Sequence, residues 1–224
     1  MANYFTAVWA IMRKDLAAEW RSRQMVSAML VFVVLVIFIF AFTLDIDMLT
    51  RRQIAAGVLW TTFAFAGTLG LNRTLATEGE RGSLDGLLLA PVERSAIYFG
   101  KTLANLFFML VVEIFTLPLY AVFYNMSLAQ PGLWLVLVLG SWCFCTAGTL
   151  LAAMAAQARS RELLLPVLLF PVVLPVLVAS VRASSAFING LGMEYALSSL
   201  NILVVYGLIM PALGFMFFDF IVEE

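Results

Sequence analysis

Histidine is absent from this 224-residue chain. The side chain that most often ligates metal or haem, and most often acts as a general base, is therefore missing on both counts. Charge is scarce too, with Asp, Glu, Lys and Arg making up 12% of residues and a formal net charge of −1, so there is no electrostatic footprint for nucleic acid. The only cysteines, Cys143 and Cys145, lie inside one apolar run. Their i, i+2 spacing on a helix turns them to different sides, which indicates neither a disulfide nor a metal pair. No G-x-x-x-x-G-K-[ST] phosphate loop occurs, since the closest glycine cluster, Gly79 to Gly86, lacks the lysine that would reach phosphates. Without histidine, and without paired acids on one short helix, the polar inventory builds no triad, zinc site or acid/base dyad. Neither an ATPase nor another enzyme is expected.

What is abundant is apolar surface. At 63% hydrophobic residues, the chain carries more than a soluble domain of this size can bury. A helical span needs about 20 mostly apolar residues, whereas barrel strands would show short alternating segments. The expected fold is therefore an all-α polytopic membrane protein with six transmembrane helices, at about 25–44, 53–71, 97–123, 132–156, 163–181 and 200–218. A single permease-like domain over 1–224 is the simplest division, with no internal repeat. Residues 1–24 form no signal peptide, because Arg13, Lys14, Arg21 and Arg23 precede an apolar run too long for an h-region. They read instead as an interfacial N-terminal helix with Phe5, Val8, Trp9, Met12, Leu16 and Trp20 on one face and Lys14, Ala17 and Arg21 opposite. Span 5 contains Pro166, Pro171 and Pro175 and is expected to be irregular. Residues 182–198, too polar to span, are expected to form one or two short half-submerged helices.

With the N-terminus inside, the inner segments hold Arg13, Lys14, Arg21, Arg23, Arg73, Arg81, Arg94, Lys101, Arg159 and Arg161, against Arg51, Arg52 and Arg182 outside. The positive-inside rule favours this orientation, with both termini cytoplasmic. It places the longest polar interruption, Arg73 to Lys101 with eight charges, in the cytoplasm. Within that interruption (loop 73–96 between the spans), 78–89 reads as a short amphipathic helix. Leu84, Leu87 and Leu88 form its apolar stripe, Glu78, Arg81 and Asp85 another face, and Pro91 stops it. Such a helix between two spans suits a lever gripped by a soluble partner. The candidate coupling residues are Glu80, Arg81, Leu84, Asp85, Leu87 and Leu88.

Glu113 is the one carboxylate well inside a span, and an ionisable group at that depth is a functional candidate. The plainer alternative is a structural one, in which it is protonated or hydrogen-bonded to Asn105, Thr116 or a neighbouring span. Gly57, Gly67, Gly70, Gly140 and Gly148 offer small-residue faces for close helix packing.

The run from Glu80 through Lys101, E-x-G-S-L-D-G-L-L-L-A-P-V-x-R-x-x-I-Y-x-G-K if the intervening residues are left open, resembles the cytoplasmic coupling loop of ABC-2-type (type II exporter-like) permeases. Together with FAGTLGLNR at 65–73, the chain length and the six spans, it is similar more closely to the haem exporter B family of cytochrome c maturation. The resemblance implies a multi-pass permease subunit of a bacterial inner (plasma) membrane, with a cytoplasmic coupling helix between spans 2 and 3. It implies as partners a separate ATP-binding cassette ATPase, further cytochrome c maturation membrane subunits and a haem chaperone. The role it implies is release of the haem-loaded periplasmic chaperone, driven by ATP. Cofactors are then expected on partner subunits, ATP on one and haem on another, and none on this chain. Membrane lipid and a homodimer complete the expected partners. A generic ABC-2 exporter of drug, lipid or polysaccharide, a non-transport scaffold and a proton-coupled carrier using Glu113 are the competing readings.

Overall fold

The computed structural model describes residues 4–43, 47–81, 92–124, 127, 129–156 and 161–223. Among the described residues the ordered elements are helices: α1 (Tyr4–Ser22), α2 (Gln24–Thr43), α3 (Met48–Arg81), α4 (Arg94–Tyr124), α5 (Pro131–Ala156), α6 (Arg161–Ile188) and α7 (Met193–Glu223). Six of them, α2 to α7, are long and apolar enough to cross a membrane. The protein is an all-helical polytopic membrane protein.

Two elements are longer than expected. Helix α3 does not stop at Leu71 but continues to Arg81, so the polar residues from Arg73 onward prolong span 2. Polarity ends a membrane span without ending a helix: no proline intervenes before Pro91, and Leu, Ala, Glu and Arg are good helix formers. Residues 182–198 likewise form no separate short helices. Residues 182–188 complete α6, 189–192 make a turn, and 193–198 open α7. The turn is a Schellman stop, with Gly190 at φ 73°, Gly190 N donating to Phe187 O at 3.0 Å and Leu191 N to Ala186 O at 2.9 Å. One of the polar residues that suggested an interruption, Ser184, and the end of α6 have partners inside the bundle. Trp60 Nε1 donates to Ser184 Oγ at 2.9 Å, and Arg52 Nε donates to Ile188 O at 3.0 Å, capping the end of α6. Helical structure also persists across Pro166, Pro171 and Pro175, where irregularity was expected.

Helix α5 is the centre of the bundle, packing against α3, α4, α6 and α7. Small residues let neighbours approach. A Cβ on Gly140 would meet the Trp60 ring at 2.2 Å and Ser180 Oγ at 2.7 Å, and one on Gly148 would meet Leu71 at 2.5 Å. Gly67 and Gly70 are similarly filled by Phe144 and Met29, whereas Gly57 faces open space and is not a packing site.

The chain alternates between two ends of the bundle. One end, called here the loop end, carries α1, the end of α3, the start of α4 and the end of α7. The last contact is marked by Arg94 Nη1 donating to Asp219 O at 3.2 Å. The opposite end carries the α2–α3, α4–α5 and α6–α7 connections.

Candidate functional site: the loop end and a buried polar seam

At the loop end, α1 lies against the first turns of α4. Gly100 makes this possible, because a Cβ there would strike Ile11 at 2.8 Å and Val8 O at 3.0 Å. The closeness pulls Ala7, Val8 and Ile11 into the protein, and Asp15 on the same side sits 3.8 Å from the buried Lys101 Nζ and 3.1 Å from Lys14 Nζ. The apolar face expected for this helix is therefore divided: Val8 is buried, while Phe5, Trp9 and Trp20 stay exposed. The remaining acid, Glu19, closes the corner between α1 and α2. Its Oε1 accepts from Met25 N at 2.8 Å and Val26 N at 2.9 Å, satisfying orphan donors at the start of α2. A little further on, Arg73 Nη2 donates to Gln24 Oε1 at 3.1 Å, tying α3 to the same corner.

The candidate coupling residues flank this assembly. Glu80 and Arg81 fall on the backbone of α3, but their side chains, and Leu84, Asp85, Leu87 and Leu88 altogether, lie outside the described residues. What the structure does describe is how the segment that bears them is held. It departs from an extension of α3 beyond the apolar span and returns into α4, whose base is fastened to α1 and, through Tyr98 Oη donating to Thr146 O at 3.0 Å, to α5.

Glu113 is 1% exposed and faces the bundle interior. Its partner is Ser141 on α5, whose Oγ donates to Glu113 Oε1. The two nearer candidates serve elsewhere, with Asn105 Nδ2 donating to Thr149 Oγ1 at 3.0 Å and Thr116 Oγ1 to Val112 O at 2.6 Å. Glu113 is one rung of a polar seam along α4. In order, Tyr98, Asn105 and Glu113 bond to α5, and Tyr120 donates to Ala55 O on α3 at 3.1 Å. Periodicity on α4 exposes such a stripe in the sequence, but the seam passed unread because its partners lie 28 to 65 residues away. The two thiols diverge as their spacing requires. Cys143 Sγ donates to Leu203 O on α7 at 3.1 Å, and Cys145 faces a narrow crevice shared with Met29, Gly67, Asn105 and Met109.

A multi-pass helical bundle with six candidate spans and a polar interior seam defines a polytopic membrane protein. The family described as "CcmB protein" matches residues 6–216, and the chain belongs to that family. It is 30% identical over 193 residues to the Heme exporter protein B of Rhodobacter capsulatus, covering 85% of this chain and 88% of that protein. Proteins of the same name from Bradyrhizobium diazoefficiens and Pseudomonas aeruginosa are 28% and 26% identical, over 83% and 85% of this chain and 84% and 85% of their own lengths.

Proposed function

We propose that this chain is the permease subunit of an ATP-driven complex that handles haem for c-type cytochrome assembly in a bacterial inner membrane. The loop end faces the cytoplasm. A separate ATPase grips the segment 78–89 through Leu84, Leu87 and Leu88, with Glu80, Arg81 and Asp85 at the rim. Buried apolar anchors carry most of such a contact and rim charges little. The observation that carries the proposal is mechanical: the segment emerges from a helical extension of span 2 and re-enters through a helix base fastened to α1 and α5. A pull on it is therefore delivered to the bundle centre. The sidedness is supported by the ten-to-three division of basic residues between the two ends. Membership of the CcmB family and the haem-exporter name of its relatives support the cargo.

Haem itself is held by a partner subunit. Axial ligation comes from His, Cys thiolate, Met or Tyr. His is absent, Cys143 and Cys145 are buried within the bundle, and of the remaining Met and Tyr a Met as sole ligand is weak, with the eleven methionines scattered as ordinary apolar filler. Glu113 is a structural rung of the seam rather than a proton carrier. The nucleotide cycle moves α3 and α4 and thereby alters the haem-loaded partner, so that its periplasmic chaperone is released. Other maturation subunits, and a second copy of this chain, complete the assembly.

Deletion of the gene tests the role. Selective loss of c-type cytochromes, with haem b proteins intact, is expected, while retention of c-type cytochromes would favour a generic ABC-2 exporter. The Soret absorption of this subunit purified alone from haem-replete cells tests the haem assignment. Its absence is expected, and a stoichiometric band abolished by changing one Met, Tyr or Cys would overturn it.

A further inference from the structure

We propose that α1 binds anionic phospholipid headgroups of the leaflet at the loop end, through Arg13 on the same face as the exposed indoles of Trp9 and Trp20, and through Arg21 and Arg23 at the end of the helix. Three independent features of the structure converge on this partner.

The first is a charge imbalance that the fold creates. Residues 4–23 carry four cations and two acids, but both acids are turned to internal work. Asp15 lies between Lys14 and Lys101, and Glu19 holds Ser22 and the first amides of α2. Arg13, Arg21 and Arg23 are exposed and make no side-chain hydrogen bond or ion pair among the described residues. Two of the three cations of the opposite end are treated differently: Arg51 and Arg52 are directed at the carbonyls of Phe123 and Ile188, while Arg182 stays exposed.

The second is geometry. At 3.6 residues per turn Trp9, Arg13 and Trp20 fall within about 40° of one another on the helix surface. Trp9 is 64% and Trp20 75% exposed, although the other side of α1 is packed on α4. A guanidinium between two indoles, on a face directed away from the bundle, matches the headgroup level of a bilayer. There tryptophan rings settle, and each nearby cation gains from negative lipid charge.

The third is a residue in an unfavourable backbone conformation. Arg23 has φ 52°, the left-handed region, where glycine is the residue without steric penalty. It forms the one-residue corner between α1 and α2, with its N donating to Glu19 O at 2.6 Å. Glycine would make the corner more easily, and the arginine supplies a charge there that glycine cannot.

The partner is a lipid of net negative charge and not merely a phosphate-bearing one, because the site offers three cations and no free acid. Native mass spectrometry of the full-length chain, offered equal amounts of phosphatidylglycerol and phosphatidylcholine with identical acyl chains, tests it. Bound phosphatidylglycerol should exceed phosphatidylcholine several-fold. The ratio should fall towards one in R13Q/R21Q/R23Q, persist in R13K/R21K/R23K, and decline with added salt. If the triple variant does not fold, R13Q, R21Q and R23G are read singly. R23G suits the corner best, and should melt no lower than wild type while binding less phosphatidylglycerol. Equal uptake of the two lipids by the wild-type chain, or a preference unchanged in the triple variant or in all three single ones, overturns the proposal.

Discussion

Helices α5 and α7 have nearly the same mean hydropathy, yet 72% of the most apolar stretch of α5 is buried within the protein against 22% of that of α7. Apolarity therefore marks both as spans without deciding which lies at the centre. In a bilayer, lipid tails solvate an apolar side chain as well as protein does, so helices sort by close packing and by hydrogen bonds. Helix α5 has what sorting needs: Gly140 and Gly148 against large neighbours, and Ser141, Thr146 and Thr149 joined to α4 through side chain or backbone. Helix α7 has such contacts on one side, among them Gly214 against the Tyr98 ring, and presents Leu208, Phe215, Met216 and Phe220 outward on the other.

The largest expected effect comes from filling the centre. Gly140→Val drives side-chain atoms into Trp60 and should cost about 3 kcal/mol or more, the upper range for overpacking, read as a lowered melting midpoint in detergent. Gly207→Ala on α7, where the nearest atom would lie 3.1 Å away, should cost under about 1 kcal/mol by the same scale. Equal losses at the two sites would break the comparison.

Glu113 gives a smaller effect. Glu113→Leu leaves the buried Ser141 hydroxyl without its acceptor and should cost about 1–2 kcal/mol, whereas Glu113→Gln keeps an acceptor and should cost less than about 1 kcal/mol. Cytochrome maturation in cells should be normal with the Gln variant. If maturation is lost while the melting midpoint is kept, Glu113 acts beyond its place in the seam. Outward-facing Leu208→Ala should change stability by no more than about 0.5 kcal/mol.

The smallest effect is expected at the opposite end, where Asp47 caps α3. Its carboxylate accepts from Thr50 Oγ1 at 2.6 Å and Thr50 N at 3.4 Å, and these bonds hold it below the ordinary aspartate value. A depressed folded-state value means the contribution is complete above the unfolded value and is lost as pH falls through the folded one. A slight decline in melting midpoint should therefore appear only in strong acid, and Asp47→Ala should lack that component.

The number of spans was legible because length and apolarity suffice for it. The ends of the helices were not, since Arg73 to Arg81 and residues 182–188 are polar by composition but helical by local propensity and by partners such as Trp60 and Arg52. The burial of Glu113 followed from its depth in a span, while Ser141 as its partner did not, because a periodic stripe on α4 shows which face is polar but not which residue of another span meets it. On α1 the apolar face was visible, yet its division between protein and exposed surface depends on Gly100 of another helix. The coupling residues were read from amphipathic spacing and charge alone, which identify a surface but not what rests on it.

The central claim is that the segment between α3 and α4 is the handle of a separate ATPase, and a single variant tests it most directly. Leu87→Asp places a charge in the proposed dry contact, where the loss should equal that of a hot spot, about 2 kcal/mol or more. Affinity-tagged chain carrying Leu87→Asp should be inserted in the membrane at the normal level and should recover little or no ATPase, while Glu113→Gln recovers it fully. Recovery of the ATPase at the wild-type level with Leu87→Asp, together with normal cytochrome maturation, would contradict the account.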